Sequence, residues 1–332
     1  MSRVVWQVCL LLAVGSCILR TPTTRATASH RTQAPSFSNA VAQIEQQWRI
    51  DDSIGVPSGR SVFLTHGHST PTAVVLLHGF GSSPRQFLSL AASLYAHGIN
   101  VWVPRLPYHA ERGPVTALSR LTADDIRDAA QSATDIGSGL GDSVVVLGFS
   151  MGGVAAAWIA QHRSDVTRVV LVSPALELAH VPTALDHQLV RVALLLPEFK
   201  SGLARDPKRP DRTLGWSMHA VAQILMLAAF VELDAENAPP AVNNIRVLVN
   251  EHDRTVSSDA AVALATRWSA MGADVKIYQL SDSLQLAHDF IDVPDSSRRI
   301  PSVGNVVEAL ARGAPLPEWQ GQLRTRLTSG IK

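Results

Sequence analysis

The most constraining feature of the chain is a junction near its middle. The apolar, β-branched run Ser143–Leu147 (SVVVL) passes through Gly148-Phe149-Ser150-Met151-Gly152 directly into the helical stretch Met151–His162 (MGGVAAAWIAQH). A strand that turns this sharply into a helix forces the turn residue, Ser150, into strained backbone angles. It also leaves no room for side chains at 148 and 152, where strand and helix crowd together. The Ser150 hydroxyl is thereby thrust out of the sheet at the positive end of a helix.

A junction of this kind belongs to a parallel sheet covered by helices, and the rest of the chain alternates accordingly. Ala73–Leu77 (AVVLL) is an uninterrupted apolar run, as a strand buried on both faces should be, and Val166–Val172 (VTRVVLV) and Ile245–Val249 (IRVLV) are further buried-type strands. Arg60–Thr65, Ile99–Val103 and Asp274–Leu280 complete the expected strands. Helices are expected over Asn39–Trp48, Pro84–His97, Thr122–Ile136, Ser258–Met271 and Val303–Ala311. Thr122 reads as a cap, with Asp124 and Asp125 in the first turn where negative charge suits the dipole.

One interval breaks the rhythm. The 72 residues between Val172 and Ile245 exceed what a crossover needs. Met218–Leu233 is apolar nearly all round and reads as a buried helix, too short and too central for a membrane span. The preceding stretch, about 176–215, mixes an apolar patch (Val190 to Leu196) with a basic loop (Lys208, Arg209, Arg212). It reads as a lid with its oily face toward a pocket and its wet face outward.

Composition excludes several classes. Lys+Arg 29 against Asp+Glu 28 gives +1 with no basic block, so nucleic acid is not an expected partner. Both cysteines, Cys9 and Cys17, fall in the first twenty residues, which removes a disulfide framework, a Cys-ligated zinc and a thiol nucleophile together. His66-Gly67-His68 lacks a third ligand nearby, so no metal and no cofactor are expected.

The N-terminus has a leader's composition. Val4 to Leu19 is an apolar run broken only by Gln7 and Ser16, suited to a signal-peptide core. Val14-Gly15-Ser16-Cys17 resembles a lipobox, which would tie the protein to a membrane through a lipidated Cys17. Ala26-Thr27-Ala28 is an alternative cleavage site that would release it, and Arg20, Arg25 and Arg31 keep an uncleaved anchor open. Export is the expectation, as a secreted protein or an anchored periplasmic lipoprotein. The organisation expected is a leader at 1–28, a tether at 29–38 and one domain over 39–332.

A serine at such a turn is a poor nucleophile without a base. His288 follows the strand Asp274–Leu280 by a short loop, at the sheet end where Ser150 sits. Asp253, directly after Ile245–Val249, fills the slot for an acid between serine and histidine in chain order. Glu251 and Asp259 are its rivals, and Asp289 reads as an exposed or structural carboxylate. Two backbone N–H groups are candidates to hold an oxyanion. One is that of Met151 at the helix start, the other that of Phe80 in the turn His78-Gly79-Phe80-Gly81. His78 itself reads as a turn-stabilising imidazole.

Taken in order, LLHGFG (76–81), GFSMG (148–152), VNEHD (249–253) and AHDF (287–290) resemble the α/β-hydrolases, close to the serine carboxylesterase and monoacylglycerol-lipase-like group. The resemblance spans about 60–312. It implies an α/β-hydrolase fold, a mostly parallel central sheet flanked by helices with a small lid inserted before the penultimate strand. It also implies cleavage of a small-molecule acyl ester through an acyl-enzyme on Ser150, with His288 and Asp253. Acyl transfer from the same site and a non-catalytic binding protein are the competing functions. One departure stands out: related esterases often carry Gly-His-Gly after the third strand, where this chain reads Tyr108-His109-Ala110, and His109 is expected at the pocket wall.

Overall fold

A computed structural model describes residues 34–56, 58–181, 190, 192–291, 301–317 and 322–326. The leader at 1–28, with Cys9, Cys17 and the Ala26–Ala28 site, lies outside the described residues, as do tether residues 29–33. At the tether's end the Ser36 hydroxyl accepts from the Asn39 amide, so the first helix, α1, spans Phe37–Ser53 and begins earlier than expected.

The elements that follow are β1 (Val62–Leu64), β2 (Thr70–Leu77), α2 (Leu88–Ala96), β3 (Asn100–Val103), α3 (Ala123–Leu140), β4 (Gly141–Phe149), α4 (Met151–His162) and β5 (Arg168–Val172). After an insertion holding β6 (Lys200–Arg205) and β7 (Thr213–Ser217) come α5 (Met218–Asn237), β8 (Asn244–Asn250), α6 (Ser258–Ala270), β9 (Asp274–Leu280), α7 (Pro301–Arg312) and β10 (Leu323–Arg326). Thr122 caps α3 in a reciprocal box with Asp125. Pro84–Phe87, expected as the first turn of α2, is instead a separate 3-10 turn capped by Ser83.

The main sheet runs β1-β3-β2-β4-β5-β8-β9-β10. Its inner strands are parallel and both edges, β1 and β10, are antiparallel. Successive side chains face opposite sides. Val75, Leu77, Val144 and Val146 pack under α1, α3, α4 and α5, while Val74, Leu76, Val145 and Leu147 pack under α2 and α7. Burial on both faces is why the central strands read as largely apolar stretches. Helix α5 runs four residues past the expected Met218–Leu233 and, against the expectation, is long and apolar enough to cross a membrane. Its Ala220, Ile224, Leu227, Ala228 and Val231 are buried in this core, as the sequence suggests.

The chain passes from β2 outward to β3, then crosses back to β4, so strand order reverses between β2 and β4. In such sheets a crevice opens at the carboxyl ends of the strands at this point. Leu77 is paired with Gly148 across it, which sets the turn after β2 beside the turn after β4.

Three features depart from the sequence expectation. Strands β6 and β7 form a separate antiparallel hairpin inside the insertion. Strand β10 pairs with β9, so His288 follows the last parallel strand and not the last strand. The insertion matches the expected lid only in part: Val190 of the apolar patch is buried against Ala222 and Leu225 of α5, but the rest divides differently. Leu195 (82% exposed), Phe199 (57%) and Trp216 (41%) face outward, while Asp211, in the polar 206–212 loop, is buried against the turn after β2. Opposite charges in that loop find partners inside, which is why the wet face can be the inner one.

Candidate active site

Ser150 sits between β4 and α4 with φ 55° and ψ −115°, in a region that L residues rarely occupy. Its neighbours over-determine this strain. The Ser150 N–H donates to the Val172 carbonyl at 3.0 Å, and its carbonyl accepts from Val154 and Ala175, each at 3.1 Å. A Cβ on Gly148 would lie 1.9 Å from the Gly152 oxygen, and one on Gly152 would lie 2.0 Å from the Leu77 oxygen. Both glycines are therefore steric requirements of the turn.

His288 lies in the loop after β9, its ring against Phe149 at 5.1 Å between centroids. Nε2 is 2.9 Å from Ser150 Oγ and Nδ1 is 2.7 Å from Asp253 Oδ2. The Asp253 side chain is fully buried. Burial pushes its carboxyl up. The hydrogen bond from His288, the charge of that ring, and the amides of Thr255 and Val256 outweigh burial and hold it below the ordinary carboxylate range. An ionised carboxylate only accepts, so Nδ1 carries the ring proton. In the neutral ring Nε2 then presents a lone pair, and the Ser150 hydroxyl donates to it.

The loops carrying Asp253 and His288 are tied by Asn250, a buried residue at the end of β8. Its amide donates to the Leu286 carbonyl at 2.8 Å and its Oδ1 accepts from the His252 N–H at 3.1 Å. The rival acids are elsewhere. Glu251 accepts from the Asp282 amide, and Asp259 is almost fully exposed in the first turn of α6. Asp289 is structural, as expected: it pairs with Arg212 at 2.6 Å.

Met151 is the first residue of α4, so its N–H has no acceptor within the helix. Phe80 stands in the turn after β2. His78 is fully buried with both nitrogens engaged: Nδ1 bonds the Gly79 carbonyl at 3.0 Å and Nε2 accepts from the Leu106 amide at 3.0 Å. Burial, reinforced by His109, lowers its pKa well below the ordinary value, which keeps it neutral and suits the turn-holding role. His109 is buried too, edge-on to Phe80 at 5.7 Å. Burial, against the opposing hydrogen bond to the Pro107 carbonyl, brings it down to about 4. Its flanking residues Tyr108 (φ 64°) and Ala110 (φ 58°) are left-handed. The departure from Gly-His-Gly therefore keeps the glycine-type backbone without the glycines.

Among the described residues no group of His, Cys, Asp and Glu could hold a metal ion. A cavity of about 360 Å³ lies apart from this site, between α1, α3 and the loop after β3, and none of Ser150, Asp253 and His288 lines it. Sequence reasoning missed Asn250 and Gln86. The Gln86 side chain accepts from the Gly79 amide at 2.9 Å, and nothing in its spacing marks it.

Residues 74–297 match the model of the alpha/beta hydrolase family. The chain is 24% identical over 208 residues to a thermostable monoacylglycerol lipase of Bacillus sp. (strain H-257), covering 62% of this chain and 80% of that one. Among solved structures it is similar to a soluble variant of monoglyceride lipase from Saccharomyces cerevisiae (TM-score 0.57, 12% identity, 77% of this chain and 92% of that one). It is also similar to a monoacylglycerol lipase of Paleococcus ferrophilus (TM-score 0.54, 16% identity, 75% and 98%). With more than half of its length matched by the family model, this chain belongs to the alpha/beta hydrolase family.

Proposed function

We propose that the protein is a serine hydrolase of carboxylic esters, acting on short- to medium-chain acyl esters or monoacylglycerol-like lipids through an acyl-enzyme. The observation that carries this reading is the position of the His288 ring, within hydrogen-bond reach of Ser150 on one side and of a buried, ionised Asp253 on the other. The similarity to monoacylglycerol lipases supports the substrate class.

In the proposed reaction Nε2 of His288 takes the Ser150 proton as Oγ attacks the acyl carbon. Asp253 keeps the proton on Nδ1 and stabilises the imidazolium that forms. The N–H groups of Phe80 and Met151 hold the tetrahedral oxyanion, and each such donor is typically worth about 10²–10³ in rate. The imidazolium then protonates the departing alcohol, and water, activated by the same nitrogen, releases the acid and frees Ser150.

The test is turnover of a graded series of p-nitrophenyl esters by wild type and Ser150→Ala, with a fluorophosphonate probe. Wild type should turn over the esters and bind the probe covalently, and the variant should do neither. Retention of most activity by Ser150→Ala would refute the assignment.

A further inference from the structure

The turn that presents the Phe80 amide is held by a chain of side chains reaching into the insertion. A trans peptide fixes its carbonyl and N–H in opposite directions. The Gly79 carbonyl, on the same peptide group as the Phe80 N–H, accepts from His78 Nδ1 at 3.0 Å and from the Ser82 amide at 3.2 Å. The preceding peptide is fixed by Gln86, whose Oε1 accepts from the Gly79 N–H at 2.9 Å. Two consecutive peptide planes are thus pinned, and the direction of the Phe80 N–H follows from both.

Gln86 does this only with its amide turned one way. Its Nε2 donates to Asp289 Oδ1 at 3.1 Å, and Asp289 Oδ2 accepts from Arg212 at 2.6 Å. Flipping the amide would set its carbonyl against a carboxylate and its NH₂ against the Gly79 N–H, two repulsive contacts in a site where Gln86 is buried. Asp289 adjoins His288 in sequence, and Arg212 lies in the loop between β6 and β7. The same loop reaches the turn twice more. The Thr213 N–H donates to the Gly81 carbonyl at 2.7 Å, and the Ser83 hydroxyl donates to Asp211 Oδ2 at 2.6 Å. The close approach depends on Gly81, where a Cβ would lie 2.6 Å from the Thr213 oxygen.

We propose that Gln86 is a positioning residue for the turn bearing the Phe80 amide, oriented by Asp289 and Arg212, so that seating of the 206–213 loop sets the transition-state geometry of the site. The proposal rests on the serine-hydrolase reading. It assigns the polar loop of the insertion a role in rate and not in substrate capture.

The test uses the full chain and a soluble p-nitrophenyl ester. Gln86→Met removes both hydrogen bonds at nearly constant volume. It should lower kcat about 10- to 100-fold, somewhat less than outright loss of an oxyanion donor, while KM stays within about twofold because the interaction is made in the transition state. Arg212→Ala should lower kcat in the same sense, Arg212→Lys should restore most of it, and Arg212→Ala in the Gln86→Met background should add little. A purely structural role would lower the melting temperature without this kcat-against-KM split or the non-additivity. Should Gln86→Met not fold, the half-exposed Arg212→Ala and Arg212→Lys pair decides alone. Inertness of wild type to the fluorophosphonate would bring down the hydrolase reading and this role with it. With wild type reactive, a kcat within twofold of wild type in Gln86→Met or, failing that, in Arg212→Ala overturns the positioning role only.

Discussion

Ser150 and Asp211 are both buried polar residues at the carboxyl end of the sheet, and they are held in different ways. Ser150 is fixed by backbone: the amides and carbonyls of Val172, Val154 and Ala175, and two glycines that leave no alternative path. Asp211 is fixed by side chains, through Ser83 and Arg85 from a distant segment and Arg209 of its own loop. Gln86 reaches Asp289 across 203 positions of chain. The rim is therefore set by local sterics that any sequence with this strand–turn–helix must obey. The insertion is set by charge pairing that many sequences could satisfy differently.

The largest expected effect attacks the steric half. Gly148→Ala places a Cβ against backbone that belongs to the same tight turn, so no side-chain rearrangement relieves it. Destabilisation above about 4 kcal/mol is expected, read as loss of soluble folded protein or of the cooperative melt. A variant that folds and melts normally would show that the turn has slack which the geometry denies.

Next comes Asp253→Asn. The amide preserves shape but offers His288 a donor where an acceptor is needed, favouring the wrong tautomer. In triads of this kind the change costs about 10⁴ in kcat. The fold should persist, because the Asp253 contacts to Thr255 and Val256 need only an oxygen acceptor. A loss below tenfold, measured on p-nitrophenyl esters, would remove Asp253 from the proposed mechanism.

The same contrast decides what the sequence could reveal. Strands β2, β4, β5 and β8 were legible because burial on both faces demands largely apolar stretches. Strand β9 was legible because its apolar residues Val275, Ile277, Tyr278 and Leu280 are buried between exposed Asp274 and Lys276 and a polar loop. The elbow was legible because only glycine fits at 148 and 152. Ser150, His288 and Asp253 follow, since each occupies the first or second turn after a recognised strand. The β6–β7 hairpin was not legible: KSGLAR and TLGWS are short, exposed and interrupted by glycine, so neither period stands out. Nor was β10, whose LRTR is an edge strand with charged, mostly exposed side chains. The inward polar loop was misread for a related reason. Taken one residue at a time, Arg209, Asp211 and Arg212 look solvated, and only the pairing of Asp211 with Arg209 and with Ser83 and Arg85 of another segment makes its burial favourable. Gln86 and Asn250 escaped because a lone amide side chain has no spacing signature.

A pH titration separates the two regions at intermediate cost. Burial pushes the Asp211 carboxyl up, but hydrogen bonds from Arg209 and Ser83 and the charge of Arg209 bring it below the ordinary range. A carboxylate held lower in the folded state than in the unfolded chain stabilises the fold above its unfolded pKa, near 4. That stabilisation is lost as pH falls through the folded value. Asp253 contributes with the same sign. Thermal melts from pH 7 down to about 3 should therefore show an acid-side decline in wild type that Asp211→Asn makes shallower. An unchanged slope would mean that Asp211 is not held as the ion pair requires.

The smallest effect sharpens the comparison from the outer side. Among the described residues of the insertion Leu195 is the most exposed large apolar side chain, and neither ion pairs nor glycine sterics hold it. Leu195→Ser should change stability by less than about 0.5 kcal/mol, below the resolution of most melts. A drop of several degrees would mean that this face is covered in solution by a second copy or another surface. The outward apolar side would then be as constrained as the inward polar one, and the division between a sterically fixed rim and a loosely specified insertion would fail at its outer edge.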